Sequence, residues 1–317
     1  STKNNLSSDT KKNKRINCSQ FIESTEDLWV YLHFPYFSIE VLVDDMIDKQ
    51  PYASVTKIKE IITVEAANSQ AQALGIKPGM SVQSFYINQH VKLLKRNQEV
   101  EYFALESLCD WALKFTPRMS KVGYQGLLLE VRGSLKLFSG IKSLVKQMVA
   151  ELKSLGYRPE FAVAPTPSAA VMLCKDKPNL VIVDKADLKK VLSMTSVAAL
   201  LISYQEKKNL KDLGIRNLGD CRRLPRIGLR ERLSSEFVDM LDHLFGDKPE
   251  YVEEFTPREF FESTFCFPNE VIEIKSVTHA AQNLLRELSL YLFRRQSMPS
   301  RLIWRLDDND NHRNFLS

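Results

Sequence analysis

The sequence predicts a multidomain chain, α/β in its amino-terminal part and α+β beyond it, on three observations. Its 317 residues exceed the single core of about 100–200 residues that one ordinary domain holds. Strand-like apolar runs alternate with amphipathic helical stretches as far as about residue 178, the pattern of an α/β layer. From Asp187 to Phe245 strand signals give way to short helices with Gly and Pro stops, and a strand–helix–strand pattern follows.

Taken in order, Ser1–Asp27 is polar, rich in Lys, Asn and Ser, without the apolar stretch of a secretory signal, and reads as a flexible leader. Leu28–Phe34 is a compact strand run. Ile58–Val64 predicts a second strand, followed by a helix over Glu65–Leu74 that Gly75 stops; Gly75–Met80 is turn chemistry. Val100–Thr116 is amphipathic, with Phe103, Leu105, Leu108, Trp111, Ala112 and Phe115 near helical spacing. Gly126–Val131 runs apolar without alternation, as a strand buried on both faces does. Phe138-Ser139-Gly140 precedes a helix over Ile141–Leu155. Phe161–Ala164 is a short strand leading into a helix over Ser168–Leu173. A domain boundary is expected near 178–190. Beyond Gly246–Pro249, Arg258–Phe267 reads as a strand, Asn269–Gln296 as a long helix and Arg301–Asp307 as a strand with Arg301 and Arg305 on one face. That last unit has too little sheet for a complete domain, so the chain reads as a fragment or a truncated product.

Composition narrows the class. At 44% hydrophobic and 26% charged, with 11 Gly and 13 Pro, the chain is neither collagen-like nor disordered. Cys18, Cys109, Cys174, Cys221 and Cys266 form no C-x-x-C pair, which excludes a zinc ribbon and suits reduced thiols in a cytoplasmic protein. No apolar run approaches the roughly 18 residues of a membrane span. The net charge of +5 is mild, but it is localised: Gln205–Arg232 carries nine basic residues against four acidic ones.

Within that basic stretch, Leu210–Asp220 has the form of a helix-hairpin-helix. Gly214 is placed to end one helix, and Asn217 with Asp220 to cap the next. Such a hairpin offers backbone amides at Gly214, Ile215 and Asn217 to one phosphate, with Lys211, Arg216, Arg222 and Arg223 adding charge. Arg301 and Arg305 are expected to face a phosphate backbone as well.

The stretch Leu28–Glu40, the Ala71–Met80 phrase, the Gly126–Gly133 strand, Ala162-Val163-Ala164-Pro165 and the Leu210–Pro225 hairpin stand in the order found in Y-family translesion DNA polymerases, which the chain resembles over nearly all of Leu28–Asp307. The resemblance implies the right-hand architecture of that family. It puts the palm at 28–33 and 98–178, the fingers at 34–97, a helical thumb with its helix-hairpin-helix at 179–249, and a partial little finger, its first β-α-β half, at 250–317.

The family's chemistry uses two metal ions held by three carboxylates. By resemblance the first-motif Asp falls on Tyr31 and a second Asp on His33, while the motif's Glu survives as Glu40. The adjacent Asp-Glu pair falls on Gln125 and Gly126. The triphosphate-binding Tyr and Arg fall on Ser69 and Gln72, and the palm Lys on Val171. A phenol, an amide and a glycine cannot supply anionic oxygens to Mg²⁺. The expectation is a retired nucleotidyltransferase site that holds no metal and no cofactor. Glu130, an odd number of residues from Gln125, is expected on the opposite strand face, and Asp44-Asp45 on a solvated helix.

A polymerase layout with erased carboxylates resembles the ImuB type of polymerase-like protein of the bacterial damage-inducible mutasome. That resemblance implies a non-catalytic DNA-binding adaptor for an error-prone C-family polymerase and a RecA-like accessory protein, joined through the sliding clamp in the nucleoid. Ser134-Leu135-Lys136-Leu137-Phe138 has a faint likeness to a clamp-binding pentapeptide and reads instead as the edge of a core. Two alternatives stay open at this level: an active polymerase with relocated metal ligands, and a protein-only scaffold that does not touch DNA.

Overall fold

The computed structural model describes residues 27–43, 50–58, 60–84, 90–200, 202–256, 261–263, 265, 274–295, 299, 301–307 and 313–316. The leader before Asp27 and the Asp44-Asp45 pair lie outside them. The chain opens with β1 (Trp29–His33) and a four-residue α1 (Phe37–Glu40). There follow β2 (Tyr52–Ile58), β3 (Ile61–Ala67), α2 (Ser69–Ala73) and β4 (Lys92–Lys95). Next come α3 (Gln98–Ala112), β5 (Met119–Lys121), β6 (Gly126–Glu130), α4 (Ile141–Ser154), β7 (Glu160–Ala164), α5 (Pro167–Asp176) and the short β8 (Leu180–Val181).

Five of these strands make one sheet in the order β5-β6-β1-β7-β8. β1 lies between antiparallel partners, with Tyr31 opposite Leu128 on β6 and opposite Ala162 on β7. Alternate side chains leave opposite faces. Val30 and Leu32 therefore join Leu127, Leu129, Val163 and the apolar stripes of α3 and α4 in one core. Trp29 and Tyr31 point the other way, into a second core with Leu128, Ala162 and α5. Burial on both faces is why β1 and β6 read as unbroken apolar runs.

The second core does not stop at the sheet. It continues through Leu188 on α6 (Lys185–Met194), Leu210 on α7 (Tyr204–Asp212), Leu218 and Cys221 on α8 (Leu218–Arg223), and Phe237, Leu241 and Phe245. The last three belong to α10 (Ser235–Phe245), which follows α9 (Arg226–Arg232). The buried Thr166 hydroxyl donates to the Leu244 carbonyl at 3.1 Å, tying the end of α10 to the start of α5.

β2 and β3 form a hairpin, and β4 adds parallel to β2, in a separate three-stranded sheet of order β3-β2-β4. The single strand expected over Ile58–Val64 therefore straddles a turn, at which Glu60 adopts φ +66°. β3 also runs on to Ala67, which shortens the expected Glu65–Leu74 helix to α2. Asn68 caps α2 by accepting from the Ala71 amide at 3.0 Å, and its carboxamide oxygen also accepts from the Tyr52 amide at 3.0 Å. The small sheet is joined to α3 by Arg96, whose guanidinium lies 2.7 Å from the buried Glu101 carboxylate and 2.9 Å from Glu65.

After α10 the chain returns along the five-stranded sheet. Glu250 accepts from both the Ser168 amide (3.0 Å) and its hydroxyl (2.6 Å) at the start of α5. Glu254 pairs with Arg118 at 3.1 Å, and the Phe255 amide donates to the Met119 carbonyl of β5 at 2.7 Å. The expected Arg258–Phe267 strand falls mostly outside the described residues, and Phe261–Ser263 within it is not extended into a strand. The expected long helix is α11 (Ile274–Arg295), and β9 (Trp304–Asp307) pairs antiparallel with β10 (Arg313–Leu316). The last expected strand is thus shorter than Arg301–Asp307, and Arg301 precedes it. Among the described residues no helix is long and apolar enough to cross a membrane.

Candidate functional site

One end of the five-stranded sheet gathers the first set of candidate residues. His33 at the end of β1 stands opposite Gly126 on β6 and Glu160 on β7, and the Phe34 amide donates to the Gln125 carbonyl at 2.9 Å. The Tyr31 ring, 2% exposed, lies over Gly126: a Cβ there would come within 2.4 Å of Tyr31 Oη and 2.7 Å of Cε2. His33 stacks beyond Tyr31 at 6.1 Å between ring centroids, 22° from parallel.

These are poor surroundings for a cation. Burial, then the Cys174 thiol on α5, pushes the Tyr31 phenol well above its ordinary range, so a phenolate is disfavoured. Burial, then Lys175, lowers the His33 pKa, and its buried Nδ1 has no hydrogen-bond partner. Gln125 at the β5–β6 turn is exposed and carries no charge. Among the described residues no group of three or more His, Cys, Asp or Glu side chains is disposed to hold a metal ion. The residues present do not fit a Mg²⁺ centre.

Of the nearby carboxylates, Glu160 is a single group on β7 opposite His33, and Glu40 and Glu130 are engaged elsewhere. Glu40 Oε1 accepts from the Arg158 amide at 2.9 Å. Glu130 does face away from Gln125, but it shares the face of Gly126 and Leu128, so strand parity does not remove it. What removes it is its place at the far end of β6, where its Oε1 accepts from the Leu28 amide (3.2 Å) and the Arg132 amide (2.8 Å). Ser69 and Gln72 are exposed on α2, beside the other sheet, and the Gln72 side-chain carboxamide donates to the Ala67 carbonyl at 2.7 Å. Val171 packs on α5 against the core that holds Tyr31. In the Ser134–Phe138 pentapeptide the Ser134 hydroxyl donates to the Phe115 carbonyl and the Phe138 ring lies 5.3 Å from that of Phe115, which fixes the segment against the core.

The second set lies on the helical hairpin. A Ser203–Glu206 capping box starts α7, and Gly214, at φ +72°, turns the chain toward α8. Ile215 is buried. Its amide donates to the Leu210 carbonyl at 3.0 Å, and that of Gly214 to the Lys211 carbonyl at 2.9 Å. Asp220 accepts from the amides of Asn217 (3.2 Å) and Arg216 (3.4 Å), and the Leu218 amide donates to Thr195. The amides that the sequence offered to a phosphate are thus already bonded within the protein. Gly214, Ile215 and Asn217 shape the turn, and the cationic side chains are what remains open.

Those cations differ from one another. Lys211 and Arg216 are exposed and have no ion-pair partner among the described residues. Arg223 is 83% exposed, with Asp220 3.5 Å away. Arg222 is drawn inward, 3.1 Å from Asp247 and 4.4 Å over the Phe245 ring. Arg226 pairs with Asp242 at 2.6 Å and Arg230 with Asp239 at 3.8 Å. Sequence reasoning missed these three aspartates because they lie outside the basic window, although Asp239 and Asp242 share one face of an amphipathic helix. It also passed over Lys208, exposed one turn before Lys211. Arg301 is exposed, and Arg305 sits on β9 opposite Phe315, well apart in sequence from the hairpin.

The fold that carries both sets is that of the Y-family DNA polymerases. Solved structures of that class align over most of the chain: DinB from Sulfolobus solfataricus with a TM-score of 0.59 at 20% identity, over 72% of this chain and 69% of that one; and the post-insertion binary complex of Dbh DNA polymerase with a TM-score of 0.62 at 17% identity, over 91% and 86%. Residues 31–175 match the model of the IMS (impB/mucB/samB) family. The curated proteins matched are two called Protein ImuB, from Caulobacter vibrioides strains NA1000 / CB15N and ATCC 19089 / CIP 103742 / CB 15, each 32% identical over 143 residues, or 45% of this chain. The match spans 31% of the length of each.

Proposed function

We propose that this protein is a non-catalytic, DNA-binding adaptor of damage-induced mutagenic translesion synthesis, with the architecture of a Y-family polymerase and a retired active site. The observation that carries this reading is the Tyr31 ring lying over Gly126, with the uncharged Gln125 beside it, where the family places its metal-binding carboxylates. Palm, fingers, helical thumb and little finger are assigned to 28–33 with 98–178, 34–97, 179–249 and 250–317. Lys211, Arg216 and Arg223 on the thumb, with Arg301 and Arg305 farther on, contact phosphates and read no bases. Arg222 supports the thumb from behind. By resemblance to the ImuB type, the partners are the sliding clamp, an error-prone C-family polymerase and a RecA-like accessory protein, in the nucleoid of the cytoplasm.

A DNA-binding and primer-extension assay on one preparation tests the proposal. Salt-dependent binding without nucleotide incorporation in Mg²⁺ or Mn²⁺ is the expected result. Incorporation would overturn it in favour of an active polymerase, and absence of DNA binding in favour of a protein-only scaffold.

A further inference from the structure

We infer that the Tyr31 ring and the bare backbone of Gly126 are an interlocked pair that plugs the end of the sheet, so that position 126 cannot gain a side chain and no divalent cation can enter while the ring is in place. The inference rests on the reading of positions 31, 125 and 126 as former metal-ligand positions and adds what now fills them.

The geometry is cross-strand. Tyr31 is opposite Leu128 and His33 opposite Gly126, so the Tyr31 ring runs diagonally over the glycine on the same face. A Cβ at 126 would meet the phenol oxygen and two ring carbons of Tyr31 within 2.8 Å, well inside contact distance. The conflict is hard to relieve by movement. β1 is held on both sides by β6 and β7, the ring belongs to the core formed with Leu128, Ala162 and Cys174, and His33 stacks against it. Gly126 needs no left-handed backbone, since it is absent from the positive-φ glycines. The ring above it is what demands a missing side chain. A Mg²⁺ ion requires six oxygen ligands at about 2.0–2.1 Å, and aromatic carbon fills the space where they would stand.

Thermal denaturation of Gly126→Ala, Tyr31→Ala and the double variant tests the interlock. In the parent background Gly126→Ala is expected to lower Tm by about 5 °C, and in the Tyr31→Ala background by less than about 1 °C. An equal drop in both backgrounds would overturn the inference, because the glycine would then matter for a reason other than the ring. Mn²⁺ binding, read by electron paramagnetic resonance, tests the exclusion: Gln125→Asp/Gly126→Glu is expected to take up no ion with Tyr31 present and to bind one when Tyr31→Asp is added. Binding in the first variant, or none in a folded second variant, would overturn it; if the second variant does not fold, the thermal cycle decides. Primer extension by the parent protein would refute the adaptor reading and leave the thermal coupling standing, so the two failures are distinguishable.

Discussion

Asp247 Oδ2 lies 3.1 Å from a guanidinium nitrogen of Arg222, on the side of the helical region that faces α10. The pair divides the basic stretch into cations that hold the helices together and cations that face water. Arg222→Ala is expected to cost roughly 1 kcal/mol of stability, from a half-buried ion pair and the ring contact with Phe245, and to change DNA affinity little. The triple variant Lys211→Ala/Arg216→Ala/Arg223→Ala should leave Tm nearly unchanged and flatten the slope of log affinity against log salt by about 2–3. Fluorescence anisotropy at several salt concentrations checks both, and an unchanged slope in the triple variant would remove the hairpin from the interface.

Arg96 and Glu101 fasten the three-stranded sheet to α3. Glu101 is 2% exposed, and its carboxylate takes two guanidinium nitrogens at 2.7–3.1 Å. Removing Glu101 leaves the half-buried Arg96 guanidinium with Glu65 alone, so Glu101→Ala should cost about 1–3 kcal/mol in urea denaturation. A loss below about 1 kcal/mol would mean that the pair is solvated in solution.

His33 gives the sheet an acid-sensitive side chain. Its folded pKa lies below the ordinary 6.5, chiefly through burial and then through Lys175, with a backbone contact to Gln125 opposing. Between the folded value and 6.5 the unfolded chain binds a proton that the folded protein refuses, so stability falls as pH drops through that window. Glu160, opposite on β7, has its own pKa raised by burial. Urea midpoints should decline from pH 7.5 to pH 5.5 in the parent, and His33→Gln should flatten the decline; an identical decline in the variant would assign the effect to another group.

Arg118 holds the returning chain against β5, pairing with Glu254 while its guanidinium lies 5.6 Å over the Trp29 ring. Arg118→Ala should speed amide hydrogen exchange in 249–256 by about tenfold, with little change in β1 or β6. Uniform acceleration over the whole sheet would show that Arg118 supports the core instead.

Much of the fold was legible because burial is written plainly into some segments. β1, β6 and β7 are apolar on both faces, and α3 and α4 show clear helical stripes. The β2–β3 hairpin was not, because no Gly, Asn or Pro, the residues that mark turns, stands between Ile58 and Ile61 in the sequence. β4 and β5 are three- or four-residue strands with no alternation to detect. The loss of carboxylates at Tyr31, Gln125 and Gly126 was readable by resemblance, whereas the contact between Tyr31 and Gly126 depends on the register of β1 against β6. Likewise the basic residues of the hairpin could be counted, but which ones are neutralised depends on how α10 brings Asp239, Asp242 and Asp247 beside them.

β1 is the first strand of its sheet to be synthesised and the middle one in space. Its two neighbours, β6 and β7, are translated only after the whole inserted sheet and α3. A nascent chain therefore carries Trp29-Val30-Tyr31-Leu32 with both strand edges open until Glu130 has left the ribosome and with one edge open until Ala164 has, a long interval for an aromatic, aggregation-prone segment. Completion of the sheet belongs to a late stage of biogenesis, and any chain interrupted before Ala164 is a natural substrate for chaperones.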